Sequence, residues 1–289
     1  MKRKLLFILV FAGVMALTAC GSGNGDFNAS REINVVSREE GSGTLGAFIE
    51  VLGIEVSGAD GSVRDMTTGD AEISPSTSGV ITTVAGNRYA IGYISLGSLN
   101  DTVTAINVGG VSPTAANVQN GSYSLFRTFY ITFQDDLDDL TQDFINFILS
   151  AEGQAIAGQR YIPAEASAAA YVSSGTLSGT IVVSGSTSVA PLMESLKEAY
   201  ELIHSNVTVE VHSAGSTAGI NASISGLADI GMSSRQLRPA ELEQLNHTAI
   251  AFDGLAVIIN NANPLTNLQP EDIRQVFVGD ITRWDGLIR

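Results

Sequence analysis

The sequence predicts an α/β fold, and three observations carry this prediction. Short runs rich in β-branched and aromatic residues alternate with helical patterns along almost the whole chain. Residues 164–179, rich in Ala, Ser and Gly, break the alternation and predict a linker or loop. About 260 residues follow the N-terminal leader, which is enough for two units of ordinary domain size.

The individual elements follow from these patterns in chain order. The predicted strands are Ile33–Val36, Tyr89–Ser95, Phe129–Phe133, Ile181–Val183, Val207–Val211 and Ile250–Ile259. The predicted helices are Leu45–Leu52, Leu140–Ile148 and Val189–Ile203. Four aspartates within residues 135–139 precede the second helix, where carboxylates suit the positive end of the helix dipole. Their spacing is not that of an EF-hand loop, so we expect capping and solvation rather than calcium binding.

The first twenty residues resemble a lipoprotein signal. A basic start is followed by an apolar run that is too short to span a membrane, so residues 1–19 are predicted to be a removable signal peptide. Cys20 ends this run and is the single cysteine of the chain. Its position predicts acylation of the new N-terminus rather than redox or metal chemistry. Residues 20–30 are predicted to form a flexible tether.

The charge balance excludes nucleic acid as a partner. The whole chain has a formal net charge of −15, and loss of the three basic residues of the leader lowers it to −18. No second apolar run is long enough to cross a membrane. We therefore expect an extracytoplasmic protein that is held at the membrane by its lipid anchor alone.

Three segments share one pattern, in which a turn of Gly, Ser and Thr leads directly into an apolar helical pattern. They are residues 37–46 (SREEGSGTLG), 184–188 (SGSTS) and 213–219 (SAGSTAG). Such turns present backbone N–H groups and hydroxyls at a helix N-terminus, and Arg38 adds a guanidinium in the first of them. Each turn alone could simply cap its helix. Together they predict a site that holds one tetrahedral oxyanion from several sides.

Signals for covalent or metal chemistry are absent from the sequence. There is no G-x-S-x-G nucleophile motif, and His204, His212 and His247 fall in no catalytic pattern. One cysteine and no paired-histidine spacing leave no metal motif. We therefore predict that the protein is not an enzyme and uses neither a metal nor a cofactor.

Five motifs together resemble one family: SREEGSGTLGAF, SGSTSVAPL, SAGSTAGI, ADIGMSSRQL and FDGLAVIIN. They are similar to the phosphate-binding proteins of bacterial ABC importers, which have the type II periplasmic-binding-protein fold. The resemblance runs over nearly all of residues 31–289, but the motif order is rotated, because SREEGSGT opens the mature chain and GDITRW ends it. A circular permutation would produce this order if residues 164–179 joined the usual C-terminus of the family to its usual N-terminus. A fragment cut from a tandem array is the competing account.

This resemblance implies two α/β lobes, a two-stranded hinge and a ligand cleft between the lobes. The crossover strands would be Phe252–Ile259 and Phe129–Phe133. Lobe A would comprise residues 31–125 together with 263–289, and lobe B residues 126–262. Both ends of the mature chain would then lie in lobe A.

By motif position, the resemblance also implies the anion-binding residues. They are Arg38, Ser42, Gly43, Thr44, Thr187, Ser188 and Ser216. Hydroxyls and N–H groups would donate to the oxyanion while Arg38 engages two oxygens. A salt bridge from Arg38 to Glu39, Glu40 or another surface acid is the alternative.

Discrimination of phosphate from sulfate needs a proton acceptor, because monohydrogen phosphate carries a proton and sulfate does not. Some family members have an aspartate in the motif that here reads Met232-Ser233-Ser234-Arg235, so the family's acceptor is not carried over to Ser234. The Ser234 hydroxyl is still a candidate acceptor in the site, although a less selective one than a carboxylate. Asp253 is a candidate replacement, although an Asp-Gly pair is also common turn chemistry. Arg235 is expected to brace such a carboxylate rather than to touch the ligand.

The expected function is that of a monomeric, lipid-anchored receptor that binds inorganic phosphate and delivers it to ABC permease subunits. The alternatives are a receptor for sulfate, molybdate or tungstate, and a surface or signalling module without a transport role.

Overall fold

The structure is a computed structural model that describes residues 27–57, 63–173 and 175–288. The predicted signal peptide, Cys20 and most of the predicted tether lie outside the described residues.

Strands and helices alternate as the sequence predicts. The strands are β1 (Asn34–Arg38), β2 (Glu55–Ser57), β3 (Val63–Asp65), β4 (Glu72–Ser74), β5 (Ala90–Ser95), β6 (Val103–Ala105), β7 (Asn107–Val108), β8 (Phe126–Phe133), β9 (Ile162–Pro163), β10 (Gly179–Gly185), β11 (Val207–Ser213), β12 (Ile230–Ser233), β13 (Asn246–Asn260) and β14 (Asn267–Leu268). The helices are α1 (Gly43–Val51), α2 (Thr77–Gly86), α3 (Ala115–Gln119), α4 (Asp139–Leu149), α5 (Ala151–Ala157), α6 (Ala190–Ile203), α7 (Ser216–Ile224), α8 (Pro239–Leu242) and α9 (Pro270–Val278). Each predicted strand and helix overlaps an observed one. Asp138 caps α4, since its carboxylate accepts the Thr141 N–H at 2.7 Å.

One mixed sheet runs through the molecule in the order β11-β10-β12-β8-β13-β5-β1-β4, with β6 and β9 also paired to β13. At one end β1 is parallel to β4 and β5, and at the other β10 is parallel to β11 and β12. The central strands β8 and β13 are antiparallel to their neighbours. The two parallel groups are therefore joined through an antiparallel pair.

The strand β13 takes part in both halves of this sheet. Residues 246–254 pair with β8, and residues 255–259 pair with β5. At the change of partner the Leu255 N–H still donates to the Leu125 carbonyl at 2.8 Å, just before β8 begins. The two predicted crossover segments thus belong to adjacent strands that pass between the halves.

Buried apolar side chains gather on either side of this crossover. One core joins α1, β5, α9 and the chain ends and includes Phe48, Tyr93 and Phe277. Another joins α4, α6, β10 and β12 and includes Phe144, Val183 and Met232. We refer to the half around the first core as lobe A and the half around the second as lobe B. A smaller core, with Val80 and Val84 of α2, lies on the other face of the lobe A sheet.

The start of the described chain is packed rather than free, which corrects the predicted tether for residues 27–30. The Phe27 ring lies 5.7 Å from the Trp284 ring, centroid to centroid, in an edge-on arrangement. The Asp285 N–H donates to the Ala29 carbonyl at 2.7 Å, and Glu32 forms a β-bridge with Arg283. Trp284 itself is fully buried. The Phe27 side chain therefore packs the segment before β1 and the segment around Trp284 together against lobe A.

The predicted linker has neither helix nor strand in its described residues until β10 begins at Gly179. It is tied down at Tyr171, whose hydroxyl donates to Asp143 and lies 2.7 Å from His204 Nε2. Tyr200 also donates to Asp143, at 2.7 Å. Burial and the neighbouring Asp143 raise the pKa of Tyr171 to about 12.

None of the helices in the described parts of the chain combines the length and the apolar character that crossing a bilayer requires.

Candidate functional site

Four helices of the described chain begin in the cleft between the lobes. In lobe A, α1 follows β1 and α2 follows β4, and in lobe B, α6 follows β10 and α7 follows β11. Because the strands are parallel within each group, their carboxyl ends lie at the same edge of the sheet. The helices therefore direct the N–H groups of their first turns into one region, where a helix favours negative charge.

The guanidinium of Arg38, at the end of β1, lies at the centre of this region and is almost fully buried. Its Nη1 approaches Thr44 Oγ1 at 3.4 Å and Thr77 Oγ1 at 3.3 Å, and its Nη2 donates to Thr187 Oγ1 at 3.1 Å. Its Nε also donates to the carbonyl of Ser74 at 3.2 Å. A single cation thus reaches hydroxyls from both lobes.

Arg38 also forms a salt bridge to Glu39, one of the alternatives that its acidic neighbours in the sequence leave open. Nε and Nη2 donate to the two carboxylate oxygens of Glu39 at 2.8 and 2.9 Å. The two interpretations do not exclude each other, because one edge of the guanidinium faces Glu39 while Nη1 faces the hydroxyls.

Hydroxyl groups bridge the cleft directly. Ser188 Oγ of lobe B lies 2.9 Å from Thr44 Oγ1 and 3.0 Å from Thr77 Oγ1 of lobe A. Thr187 Oγ1 accepts the Thr77 N–H at 3.4 Å. Ser188 and Thr44 are buried. These groups form a compact donor and acceptor cluster shared between the lobes.

A second set of hydroxyls surrounds Gly43. Ser234 Oγ accepts from Ser186 at 2.9 Å and lies 3.4 Å from Ser216 Oγ, and Ser216 Oγ also accepts the Ser234 N–H at 3.1 Å. All three serines are buried. The absence of a side chain at Gly43 lets the start of α1 approach them.

Ser42 has the capping role that any single turn of this kind can have. Its Oγ accepts the N–H groups of Thr44 and Leu45 at 3.2 and 3.4 Å. The structure therefore brings five of the predicted residues, Thr44, Thr187, Ser188, Ser216 and Ser234, together around Arg38 and Gly43. It places Ser42 as the N-cap that holds α1 in position.

Asp253 has a different environment from the one predicted. It lies within β13 rather than in a turn, directly opposite Arg127 of β8. Its Oδ2 accepts from Arg127 Nη2 and Nε at 3.0 and 3.1 Å, and its Oδ1 accepts from Ser95 Oγ at 2.9 Å and from the Gly97 N–H at 3.4 Å. Burial raises the pKa of Asp253 and lowers the pKa of Arg127. Both carboxylate oxygens thus bond to residues of β8, of β5 and of the turn after β5, which is a structural use of this group.

Arg235 does not brace Asp253, and that expectation is wrong. Its Nη1 and Nη2 each donate to Glu241 at 2.8 Å, and Nη2 also donates to Thr217 Oγ1 at 3.2 Å. Burial raises the pKa of Glu241, but hydrogen bonds from Arg235 and from the Arg238 N–H outweigh it and hold this pKa below its ordinary value. The partner lies six residues along the chain, which makes this a local pair.

Thr77, Ser186 and Glu39 belong to the cluster although the sequence analysis did not single them out as site residues. A signal exists for Thr77, because Ser76-Thr77-Ser78-Gly79 precedes Val80 and Ile81 and so repeats the pattern of the other three helix starts. Ser186 lies inside one of the predicted turns. Glu39 carries no such signal beyond its position next to Arg38.

The model of the PBP (periplasmic-binding-protein) superfamily domain matches residues 22–152 and 170–287. The chain belongs to this superfamily. It is 44% identical over 290 residues to a protein of Streptococcus pneumoniae named phosphate-binding protein PstS 2, and the match covers 99% of both chains. A Streptococcus agalactiae protein of the same name is 40% identical, again over 99% of both chains.

A solved structure shares the PBP fold of this chain. The crystal structure of a phosphate ABC transporter phosphate-binding protein from Streptococcus pneumoniae superposes with a TM-score of 0.71 at 45% sequence identity, covering 89% of this chain and all of that one. The two-lobed α/β fold expected from the motifs is thereby confirmed. Because both streptococcal relatives match from end to end, they share the motif order of this chain. The circular permutation stays a prediction.

Proposed function

We propose that this PBP superfamily member captures inorganic phosphate between its two lobes and delivers it to an ABC permease. The names of its streptococcal relatives support both parts of the proposal, since they describe phosphate-binding proteins, and the solved relative is described as part of a phosphate ABC transporter. The protein acts outside the cytoplasm, held by an acyl chain on Cys20, and performs no covalent chemistry.

The observation that carries the proposal is the convergence of Arg38 and the N-termini of α1, α2 and α6 on one cluster of hydroxyls shared by both lobes. The N-terminus of α7 lies beside it, where Ser216 faces Gly43. Hydroxyl and backbone N–H donors at helix starts stabilise an oxyanion. Each charge-assisted hydrogen bond contributes about 1.5–3 kcal/mol. A few of them suffice for micromolar affinity, which corresponds to about −8 kcal/mol.

The proposed ligand contacts come from both lobes. Lobe A supplies Arg38, Gly43, Thr44 and Thr77, and lobe B supplies Thr187, Ser188, Ser216 and Ser234. A bound oxyanion would replace the hydroxyl-to-hydroxyl contacts with bonds to its own oxygens. Since these bonds require both lobes at once, binding energy favours the closed arrangement, and the permease would recognise that state.

We also propose the lobe limits that the sequence suggests, 31–125 with 263–289 for lobe A and 126–262 for lobe B. The division of the buried core supports them except at Ile162 of β9, which packs into the lobe A core, and along β13. Leu255, Val257 and Ile259 pack into the lobe A core, while Ile250 and Ala251 pack into the lobe B core. The lobe B limit on β13 is therefore better drawn near Gly254 than at residue 262.

A receptor for another oxyanion is the second candidate, because Ser234 offers a hydroxyl where some relatives have an aspartate. Isothermal titration of the full-length protein, purified in mild detergent, with phosphate, sulfate and molybdate distinguishes the two candidates. We expect phosphate to bind at least tenfold more tightly than sulfate. Equal affinities, or preference for sulfate or molybdate, would support the second candidate, and no binding of any anion would contradict both.

A further inference from the structure

The side chain of Arg235 belongs to lobe B but lies against lobe A. It is 9% exposed. A Cβ atom at Gly46, in the first turn of α1, would lie 3.5 Å from Arg235 Cδ and 3.9 Å from Arg235 Cβ. The aliphatic part of the arginine therefore covers the start of the helix that carries Gly43 and Thr44 of the proposed site.

Thr217, at the start of α7, is a second lobe B residue at this boundary. Its N–H donates to the Gly41 carbonyl at 3.1 Å, which is a backbone hydrogen bond between the lobes. Gly41 has a φ of +89°, a conformation that favours glycine, and a Cβ there would lie 3.4 Å from Thr217 Cβ. On its other side, Thr217 Oγ1 accepts from Arg235 Nη2 at 3.2 Å. Thr217 is thus held between the arginine and the loop before α1.

Glu241 fixes the orientation of the Arg235 guanidinium. Its two oxygens accept from Nη1 and Nη2, each at 2.8 Å, and this two-point pairing holds the plane of the guanidinium. Nη1 also donates to the Gln236 carbonyl at 2.8 Å. Glu241 itself accepts the Arg238 N–H at 2.7 Å, at the start of α8. Because all of these groups belong to lobe B, the arginine is ordered before lobe A meets it, and little side-chain freedom is lost on closure.

These contacts differ in the arrangement of the lobes that they need. The pair of Arg235 and Glu241 lies within lobe B and does not depend on closure. The contacts of Arg235 with Gly46 and of Thr217 with Gly41 form only where the lobes meet. A contact that forms in one arrangement only shifts the equilibrium toward that arrangement. These contacts therefore favour the closed cleft, and they do so for any anion because the anion takes no part in them.

Building on the proposed phosphate-binding function, we propose that Arg235 is a positioning residue that keeps the cleft closed over the bound anion. Oriented by Glu241, it holds Thr217 against the loop before α1 and packs over Gly46. We call Arg235, Glu241 and Thr217 the closure latch. Bound phosphate leaves after the lobes separate at this latch, so the latch slows release without choosing among anions.

The test is the rate constant of phosphate release from the full-length protein, purified in mild detergent. Protein loaded with radiolabelled phosphate is mixed with excess unlabelled phosphate, and the retained label is followed by rapid filtration. T217V keeps the side-chain shape but removes the hydroxyl that Arg235 reaches. We expect release at least fivefold faster, because a hydrogen bond to a charged group is lost. T217S keeps the hydroxyl and is the matched control, whose release rate should equal that of the wild type.

The variant R235K tests the route through the arginine. Lysine keeps the positive charge beside Glu241 but lacks the planar fork that reaches Glu241 and Thr217 together. We expect faster release in R235K, and a smaller effect of T217V in that background than in the wild type, since the two residues act through one contact. Equal effects of T217V in both backgrounds would show that Thr217 acts without Arg235 and would overturn the inference.

A folded T217V that releases phosphate at the wild-type rate would also overturn the inference while leaving phosphate binding intact. A purely structural role for Arg235 would lower the thermal unfolding temperature of R235K without changing its release rate, and that result has the same meaning. If T217V folds poorly, the release rate of R235K decides. Failure of the wild type to bind phosphate at all would overturn the proposed function and this inference together.

Discussion

Gly43 at the start of α1 faces Ser216 at the start of α7 so closely that a side chain cannot fit between them. A Cβ atom at position 43 would lie 2.3 Å from Ser216 Oγ and 2.6 Å from Ser234 Oγ. Gly43 is not among the glycines with positive φ, so the requirement is one of space. The closeness of the two lobes therefore depends on one missing methyl group.

Replacing Gly43 by alanine should weaken phosphate binding at least tenfold with little effect on folding, because alanine is a better helix former than glycine. Calorimetry measures the affinity, and thermal unfolding checks the fold. G46A in the same helix is the control, since a Cβ there would meet Arg235 Cδ at an ordinary 3.5 Å. Equal affinities for G43A and G46A would contradict a closed site of this geometry.

The Thr77 hydroxyl, found only from the structure, gives a second prediction. T77V removes contacts to Ser188, Thr187 and Arg38 while preserving side-chain shape. Loss of one or two hydrogen bonds of about 0.5–1.5 kcal/mol each should weaken phosphate binding roughly tenfold. T82V, on the exposed face of the same helix, should leave the affinity unchanged. If T77V binds like T82V, α2 does not contribute to the site.

The ion pair between Asp253 and Arg127 should stabilise the hinge rather than select the anion. D253N leaves Arg127 buried without its counter-charge, which typically costs about 3–5 kcal/mol of unfolding free energy. Urea denaturation measures this loss, and D101N at an exposed position is the control. The ratio of phosphate to sulfate affinity should not change. A specific loss of phosphate binding without loss of stability would restore Asp253 to the ligand site.

The lowered pKa of Glu241 predicts a dependence of stability on pH. A carboxylate whose pKa is lowered in the folded state stabilises the protein at pH values above its ordinary pKa, here 4.5. This contribution disappears as the pH falls through the pKa of the folded state. E241Q should therefore lose about 1–3 kcal/mol of unfolding free energy at neutral pH, because Arg235 is left buried without its counter-charge. Its stability should also decline less steeply than that of the wild type as the pH falls below 4.5. E243Q, an exposed neighbour, is the control. Identical pH profiles for the two variants would contradict the assignment.

Local patterns predict much of this fold, and long-range pairing explains what they leave out. Hydrophobic runs locate six strands of the sheet, but the full length of β13 depends on its two successive partners, β8 and β5. The helix α2 has several Thr and Gly residues and no charged ones, so its amphipathic pattern is weak. Its start nevertheless repeats the Ser, Thr and Gly turn found at the other three helix starts. The helix α9 begins with Pro270 and two acidic residues in its first turn, which are typical of a helix N-terminus. This helix could therefore have been predicted from the sequence.

The site, too, has parts that local sequence predicts and parts that depend on long-range pairing. Turns of Gly, Ser and Thr predict the hydroxyls that the structure brings together at the helix starts, because the chemistry of a helix start is local. The partner of Asp253 cannot be predicted from local sequence, because Arg127 lies 126 residues away and contacts Asp253 only through the register of β8 and β13. Arg235 shows the converse error, because its partner Glu241 is close in sequence and a more distant one was expected.

The contact between Phe27 and Trp284 has a practical consequence for protein engineering. Because both ends of the described chain rest on the same patch of lobe A, a short peptide could join them into a closed ring. New ends could then be cut in the strand-free stretch around Tyr171. A fluorescent reporter fused to the new ends would lie on lobe B, so pairing it with a dye attached to lobe A of the same molecule would follow cleft closure by energy transfer.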